Sequence, residues 1–311
     1  MAAPPEALFL DGLGLTELPG SLRRETRLRH LDVRDNRLAS LPEWLGELPV
    51  LESLSIGGNP LRGIPREVTA LTRLRRLYVH ELRLQSVPDA IGDLAGLRTL
   101  DLGHNRLTTL PERIGELTAL ETLYLADNRL SELSDAVRRL GALRYLGATD
   151  NGLAALPDWI GQLGRLVELR LYRNALTTLP AAIRTLHELL ELHLHHNRIG
   201  ALPETIGGLA ELRQLDLHDN RIAALPAAIG RLARLRRLDL RNNALAQVPA
   251  ALARLDRLQF LDLRGNRLDE IPDAIGDLLA LEKLDLRWNR LVAPPPAAAR
   301  LRERGCVVLG P

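Results

Sequence analysis

The chain has little of several residue types, and each shortage excludes a class of protein. Its 311 residues include a single cysteine, Cys306, which excludes an internal disulfide and favours a reducing compartment. No apolar run approaches the roughly 20 residues that a membrane span needs. The first residues, MAAPPEALFLDG, lack the basic segment and the continuous apolar segment of a signal peptide. We therefore expect a cytoplasmic protein that does not enter a membrane.

Lysine and aromatic residues are also scarce. Lys283 is the only lysine, and aromatic residues make up 3% of the chain. The remaining basic residues are arginines, and this usage with abundant alanine and glycine is typical of a GC-rich bacterial genome. Although the isoelectric point is near 9.0, the net charge is only +2. We therefore expect no nucleic-acid partner on grounds of charge.

A pattern of the form LxxLxLxxNxL repeats along the chain, as in LRTLDLGHNRL from Leu97 and LRQLDLHDNRI from Leu212. Its first leucine recurs every 23 residues without insertion, at 28, 51, 74, 97, 120, 143, 166, 189, 212, 235, 258 and 281. The period predicts twelve full repeats over residues 28–293, with caps at 1–27 and 294–311. Before the first repeat, Leu8 and Leu10 continue the pattern at positions 4 and 6. After the last repeat, Val307 and Leu309 are expected to continue it at the same positions.

Each position of the repeat predicts a structural role. Leucine-like residues at positions 1, 4 and 6 are expected to point inward, and positions 3 to 7 alternate as a strand does. Position 9 is asparagine in eleven of twelve repeats, with Leu82 as the exception, and a buried amide there is expected to bond the backbone of its own and the next repeat. Position 15 is proline in eleven of twelve, which predicts a short extended or 3₁₀ return segment.

One such unit cannot bury its leucines alone, whereas a stack of units buries a continuous core. The sequence therefore predicts an α/β solenoid: a curved horseshoe with a concave parallel β-sheet and short 3₁₀ or extended convex segments. The segment PPPAAARLRERGCVVL predicts a short helix and a last strand over the open end.

These repeats resemble the leucine-rich repeat family over nearly the whole chain. The 23-residue spacing with LPxxIGxL resembles its Ras-group subclass, which includes plant intracellular leucine-rich-repeat proteins, animal Ras-pathway scaffolds and bacterial relatives. The resemblance implies a non-enzymatic scaffold or adaptor that binds a protein partner on the concave face and acts in intracellular signalling without a cofactor. We expect a monomer.

The rare polar aromatic residues fall on the positions that face out of the sheet. All four tyrosines lie at positions 3, 5 or 7, and seven of eight histidines lie at 3, 5, 7 or 8. Tyrosine and arginine anchor many interfaces. The partner-binding residues predicted from this distribution are Tyr78, Tyr124, Tyr145, Arg170, Tyr172, Arg173, His193, His195, His196, His218, Arg241, Arg264, Arg287 and Trp288.

The middle repeats also depart from the pattern. Gly147 and Ala148 occupy positions 5 and 6, and Ser134 replaces the proline at position 15. Such departures are compatible with a functional site or with neutral drift.

The stretch ELHLHHNRI, residues 191–199, leaves three interpretations open. His193, His195 and His218 are predicted to be neighbours on adjacent strands and would suit zinc, with Asp216 as a fourth ligand. Histidine also titrates near neutral pH, so the cluster would suit a pH-sensitive contact surface. Because the spacing matches no zinc signature and an open sheet closes no tetrahedron, plain polar contact residues are the third interpretation and the simplest.

The carboxy-terminal repeats carry parallel acidic and basic columns. Position 5 reads Asp216, Asp239, Asp262 and Asp285, and position 7 reads Arg241, Arg264 and Arg287. The columns predict a solvated lattice of ion pairs, or alternatively a docking surface for a charged partner that ends at Phe260 and Trp288.

Catalytic patterns are missing from the sequence. No glycine-rich phosphate loop follows a strand and opens a helix, and no histidine lies near Cys306 in sequence. The function predicted is therefore protein binding. The alternatives are a bacterial effector that is secreted and binds a host protein, and a metal-binding protein centred on the histidines.

Overall fold

The computed structural model describes residues 6–310. Residues 1–5 and 311, at the ends of the two predicted caps, lie outside the described residues. The chain divides into two compact units, Met1–Asn151 and Gly152–Pro311. The boundary between the units falls inside the predicted repeat array.

The first unit is built on a parallel sheet in which each strand pairs with the next strand in sequence. The register advances by one 23-residue repeat per strand, as in the pairing of Leu31 with Leu54. Its strands are β1 Ala7–Phe9, β2 His30–Asp32, β3 Ser53–Ser55, β4 Arg76–Tyr78, β5 Thr99–Asp101, β6 Thr122–Tyr124 and β7 Tyr145–Gly147. Its return segments are five 3₁₀ helices and one short α-helix: Gly20–Arg24, Glu43–Glu47, α1 Arg66–Thr69, Asp89–Asp93, Glu112–Glu116 and Asp135–Arg139.

The second unit repeats this plan. Leu192 pairs with Leu215, again 23 residues apart. Its strands are β8 Glu168–Arg170, β9 Glu191–His193, β10 Gln214–Asp216, β11 Arg237–Asp239, β12 Phe260–Asp262, β13 Lys283–Asp285 and β14 Val307–Leu309. Its 3₁₀ helices are Asp158–Gln162, Ala181–Thr185, Glu204–Gly208, Ala227–Arg231, Ala250–Arg254 and Asp273–Asp277, and the α-helix α2 is Pro296–Glu303. The predicted fold class, a leucine-rich-repeat solenoid with a parallel sheet and 3₁₀ return segments, is confirmed in both units.

The inward positions are buried as predicted. In the first full repeat, Leu28 and Val33 are fully buried and Leu31 is 2% exposed. The regular strand is shorter than predicted. It covers positions 3 to 5, as in β2, whereas the prediction was 3 to 7. It is followed by a turn in which position 8 takes a left-handed backbone, for example Asp35 with φ 57°.

Proline shapes the return segments as expected. Pro111 is extended, with φ −67° and ψ 153°, and the 3₁₀ helix that follows it buries Ile114. Where proline is replaced, Ser134 accepts a hydrogen bond from the N–H of Ala136 through its hydroxyl and caps the next 3₁₀ helix. Ser134 therefore has a structural explanation.

The position-9 asparagines bond the preceding repeat rather than the next one, which corrects the prediction. Asn128 accepts a hydrogen bond from the N–H of Leu107, 21 residues earlier, at 2.9 Å. Its amide N–H donates to the carbonyl of Leu102 in the preceding repeat at 3.0 Å, and to Leu125 in its own repeat at 3.1 Å. Each amide therefore satisfies groups that the turn leaves unpaired and joins two repeats.

The predicted break in this ladder at Leu82 takes a specific form. In other repeats the asparagine side-chain oxygen accepts a hydrogen bond from the N–H of the residue 21 positions earlier, as Asn128 does from Leu107. For Leu82 that residue is Leu61, and leucine has no oxygen to accept the bond. Instead, Leu82 is buried, and its own N–H donates to Asn105 at 3.1 Å. Its neighbours Glu81 and Arg83 both have a positive φ. A groove of about 1210 Å³ runs along this segment.

At the carboxyl end, the predicted helix and last strand are present as α2 and β14, but the predicted register is wrong. Leu284 pairs with Val308, 24 residues later, so Val307 and Leu309 do not occupy the inward positions 4 and 6. The helical connection ends at Gly305, whose φ is 86°, and is one residue longer than the regular return. Val307 is consequently 54% exposed.

None of the helices in the part of the chain that the structure describes has the length and apolar character needed to cross a membrane.

Replacing Asn128 with alanine removes these hydrogen bonds and leaves buried backbone groups unpaired, so we expect a loss of about 2–4 kcal/mol in the free energy of unfolding. Chemical denaturation followed by circular dichroism measures it. The adjacent, exposed Arg129→Ala is the matched control and should change stability by less than ~0.5 kcal/mol. A similarly small effect of N128A would contradict the structural role of the amide.

Helix α2 covers the carboxyl end through Leu301, which is fully buried. We expect Leu301→Ala to cost about 2–5 kcal/mol, because it leaves a cavity beneath the cap. Exposed Glu303→Ala on the same helix is the control. Equal denaturation midpoints for L301A and E303A would show that the helix contributes little.

Candidate functional site

In each unit, positions 3, 5 and 7 place side chains on the sheet face opposite the buried leucines, which we call the open sheet face. Position 8 follows at its edge. The left-handed backbone at position 8 favours asparagine, aspartate, histidine and glycine. His104 and His196 have φ 53° there, and so does Arg173. The repeat geometry therefore gives the histidines at position 8 a structural explanation that the sequence analysis missed.

In the first unit, the predicted Tyr124 and Tyr145 come together. Their ring centroids are 4.8 Å apart with a tilt of 47°. The ring of Tyr145 lies over Gly147, where an added Cβ would come within 2.8 Å of its hydroxyl. Gly147, which departs from the repeat pattern, therefore makes room for this tyrosine pair.

Tyr78 lies in a separate groove of the first unit, of about 540 Å³, that the sequence analysis did not predict. Phe9, 70% exposed, and His80 also line it. The Asp101 carboxylate, 3.5 Å from His80, raises the pKa of that imidazole above its usual value, and burial opposes the shift only in part. The small residues at neighbouring outward positions, such as Gly57 beneath the His80 ring, were the available sequence signal.

In the second unit, three predicted residues form a stacked column at position 7. The ring of Tyr172 stacks on His195 at 4.3 Å with an interplanar angle of 12°. His195 stacks in turn on His218 at 4.3 Å and 9°. Because adjacent strands bring equivalent positions side by side, the column follows directly from the repeat. We call it the ring column.

Asp216 lies beneath the ring column and holds its two imidazoles. Its Oδ1 is 2.5 Å from Nδ1 of His218, and its Oδ2 is 3.1 Å from Nδ1 of His195. Burial disfavours ionisation of this carboxyl, but the contacts from the two histidines outweigh it and hold the pKa of Asp216 well below its usual range. Arg241 donates to Nε2 of His218 at 3.2 Å, which assigns the Nδ1–H tautomer to that ring.

His193 and Arg170 lie beside two glutamates rather than in the column. Nε2 of His193 is 3.1 Å from Glu191 and 3.9 Å from Glu168. Arg170 is hydrogen-bonded to Glu168. This part of the open sheet face is therefore a mixed cluster of positive and negative groups.

The zinc set predicted from the sequence is not assembled as such. Among residues 6–310, His193, His195 and His218 do not converge on one point. His193 and His195 converge with Asp216, whereas His218 converges with His196 and Asp219. The reason is that position 7 side chains stack along the sheet while position 8 turns back over its edge, so His218 meets His196. Burial lowers the pKa of His196, with His218, His195 and Arg173 adding to the effect and Asp219 opposing it.

The predicted columns of aspartates and arginines form ion pairs along the strands. Arg264 lies 3.2 Å from Asp262, and Arg287 lies 2.6 Å from Asp285. Arg241 is 3.6 Å from Asp239. These contacts match the predicted lattice of ion pairs. The alternative, a docking surface for a charged partner, stays a prediction.

The acidic column also has a structural role that the sequence analysis missed. At position 5, Asp239 and Asp262 accept hydrogen bonds from the N–H of position 7 in the same repeat, at 3.1 and 3.2 Å. Burial raises the pKa of both carboxyls, with repulsion from neighbouring aspartates adding to it. For Asp285, which is 1% exposed, hydrogen bonds from Arg287 overcome burial and lower the pKa.

Trp288 directly follows Arg287, the last residue of the arginine column in the second unit. It has a left-handed backbone with φ 58° and is 71% exposed. The Arg287 guanidinium lies 5.5 Å from the centre of its ring.

Comparison with known proteins agrees with the fold. The model of the family described as leucine-rich repeat region matches residues 85–172, 134–219 and 203–290, and a second model, leucine rich repeat, matches 27–48. Receptor-like protein 49 of Arabidopsis thaliana is 39% identical over 57 residues, which are 18% of this chain and 7% of that protein. The chain thus spans only a small part of this curated relative.

Solved structures resemble the chain over most of its length. A leucine-rich repeat protein of Leptospira interrogans is 32% identical, with a TM-score of 0.80 over 95% of this chain and 81% of the other. An internalin of Listeria monocytogenes, 23% identical, shares the fold with a TM-score of 0.85 over 98% and 86%. The plant peptide hormone receptor RGFR1, solved in complex with RGF2, is 27% identical, with a TM-score of 0.69 over 91% of this chain and 55% of the receptor.

The repeated burial of leucines, the asparagine ladder and the family match lead to one conclusion: the chain belongs to the leucine-rich repeat family.

Proposed function

We propose that this protein is a non-enzymatic interaction scaffold that binds a protein partner on the open sheet face. The observation that carries the proposal is the ring column of Tyr172, His195 and His218, with its two stacks at 4.3 Å. Rings already held in place lose little conformational freedom when a partner docks. Aromatic side chains with polar edges are also the residues that most often anchor interfaces.

The surroundings of the column favour a partner that offers hydrogen-bond donors or positive charge. Glu168, Glu191 and Asp216 lie close to the rings, and each already makes short polar contacts. A partner's donors could share these carboxylates without requiring new charges to be buried. In the first unit, the pair of Tyr124 and Tyr145 offers a contact surface of its own, with ring centroids 4.8 Å apart.

Ligand-bound relatives support binding of a protein or peptide. RGFR1 was solved in complex with RGF2, and PEPR1, 26% identical to this chain with a TM-score of 0.76, was solved with AtPEP1. This chain covers 55% and 41% of those receptor chains. Peptide or protein binding is therefore carried over here as a proposal.

The subclass, the bacterial origin, the cellular location and the class of partner are part of the same proposal. The regular 23-residue LPxxIGxL spacing supports the Ras-group-like subclass, and the single lysine with abundant arginine, alanine and glycine supports a bacterial origin. The single cysteine supports a cytoplasmic location, and a monomeric adaptor in intracellular signalling fits this set of features. Charge balance supports a protein partner over nucleic acid or membrane.

The test compares capture of partners from a lysate of the native organism by three forms of the protein. The site variant carries Tyr145→Ala, Tyr172→Ala and His195→Ala. The matched control carries Arg184→Ala, His187→Ala and Arg198→Ala, three exposed residues off the open sheet face. We expect a protein retained by the wild type and the control to be lost by the site variant, with binding at least ~30-fold weaker by calorimetry once it is identified.

Circular dichroism and denaturation must show that all three forms are equally folded. A partner that binds the site variant as tightly as the wild type contradicts the proposal. Failure of the control variant alone would place the interface on the return segments. If no form retains a partner, the same comparison with lysate of a host cell tests the secreted-effector alternative.

A further inference from the structure

His196, His218 and Asp219 meet at the edge of the open sheet face in the second unit. Nε2 of His196 and Nε2 of His218 both lie 3.7 Å from Oδ2 of Asp219. Two imidazole nitrogens and one carboxylate oxygen therefore point toward a shared space. The backbone places them there, because His196 and Asp219 occupy position 8 of consecutive repeats and His218 precedes Asp219.

These separations are close to those of a zinc site. Zinc binds histidine nitrogen at about 2.0–2.1 Å and carboxylate oxygen at about 2.0–2.2 Å, which puts tetrahedral ligand atoms about 3.4 Å apart. Each of the two nitrogen–oxygen distances would have to shorten by only a few tenths of an ångström, and all three ligand atoms lie within 4.8 Å of one another. A fourth position would remain open to water, as it does in zinc sites with three protein ligands. A closed tetrahedron of side chains is therefore not required.

Two further residues orient these ligands from behind. Nδ1–H of His218 donates to Asp216 at 2.5 Å, an arrangement of carboxylate and histidine that is usual behind a metal-bound imidazole. Asn242 donates to Oδ1 of Asp219 at 2.9 Å, which leaves Oδ2 directed at the two imidazoles. The stack of His195 on His218 also fixes the plane of that ring.

Arg241 opposes a cation at the site, and the positive charge of Arg173 acts on His196 in the same sense. Nη2 of Arg241 lies 3.2 Å from Nε2 of His218, where it donates to the nitrogen that a metal would take. Its side chain is about one-third exposed and also faces Asp239 at 3.6 Å, so it has an alternative partner when displaced. Arg241 would therefore compete with a metal for Nε2 of His218.

We propose that His196, His218 and Asp219 form a divalent-cation site for zinc. Asp216 and Asn242 position the ligands, and Arg241 competes with the metal. The site shares His218 with the ring column, but its proposed role does not depend on partner binding, and its test does not require a partner.

The first unit offers a matched control for this geometry. His104 and Asp127 occupy position 8 of consecutive repeats, as His196 and Asp219 do, with Nδ1 of the histidine 3.0 Å from the carboxylate. The residue before Asp127 is Ala126, so the counterpart of His218 is missing. This pair therefore has the same backbone setting but only two ligands.

The experiment is calorimetric titration of the purified chain with zinc chloride at pH 7.5, with thermal unfolding as a second readout. We expect one zinc ion per chain and a rise in the unfolding temperature that grows with zinc concentration. His196→Gln and Asp219→Asn should each weaken binding at least ~10-fold, because each removes one of three ligands. His104→Gln should bind zinc as the wild type does, and Arg241→Gln should bind it several-fold more tightly.

Absence of zinc binding by the wild type, or equal binding by His196→Gln and the wild type, would overturn the proposal. Loss of binding in His104→Gln to the same extent as in His196→Gln would likewise overturn it, since zinc would then be held by exposed histidines in general. Circular dichroism of each variant without metal establishes that lost binding is not lost folding.

Discussion

The buried asparagine amide is the interaction on which the rest of the structure depends. Each strand ends after three residues and the chain turns at once, which leaves several N–H and C=O groups of the turn without strand partners. An amide supplies both a donor and an acceptor. Asn128 bonds its own turn and two groups of the preceding repeat. The leucines can be buried only because this polar turn is satisfied beside them.

Because leucine, asparagine and proline already determine the backbone, the outward positions are free to carry chemistry. Equivalent side chains on adjacent strands lie side by side, so a residue type repeated at one position becomes a column. The ring column and the ion-paired columns of aspartate and arginine both arise in this way. This alignment needs no special loop. It would offer the proposed partner a surface whose groups are already in place.

Departures from the repeat pattern have local explanations in the structure. Ser134 caps the 3₁₀ helix that proline would otherwise introduce, and Gly147 accommodates the ring of Tyr145. Leu82 interrupts the asparagine ladder, and Arg83 after it takes a left-handed backbone, whereas the residue before it has the positive φ that is usual at position 8. A change of residue type at a repeated position thus indicates where local packing differs, and it indicates function only when the packing also brings reactive groups together.

The fold class, the repeat length, the buried positions and the outward positions could all be predicted from the sequence, because they depend on a period that every repeat shares. The sequence also indicated that tyrosine and histidine concentrate on one face. Only the tertiary structure decided which of these residues meet. Strand pairing placed His195 on His218, whereas the left-handed turn at position 8 directed His196 and Asp219 toward His218 and away from His193. The extra residue before β14 likewise shifted its register. These outcomes depend on the direction of side chains and the geometry of turns in repeats that pair 23 residues apart. A local pattern of residues does not predict either of them.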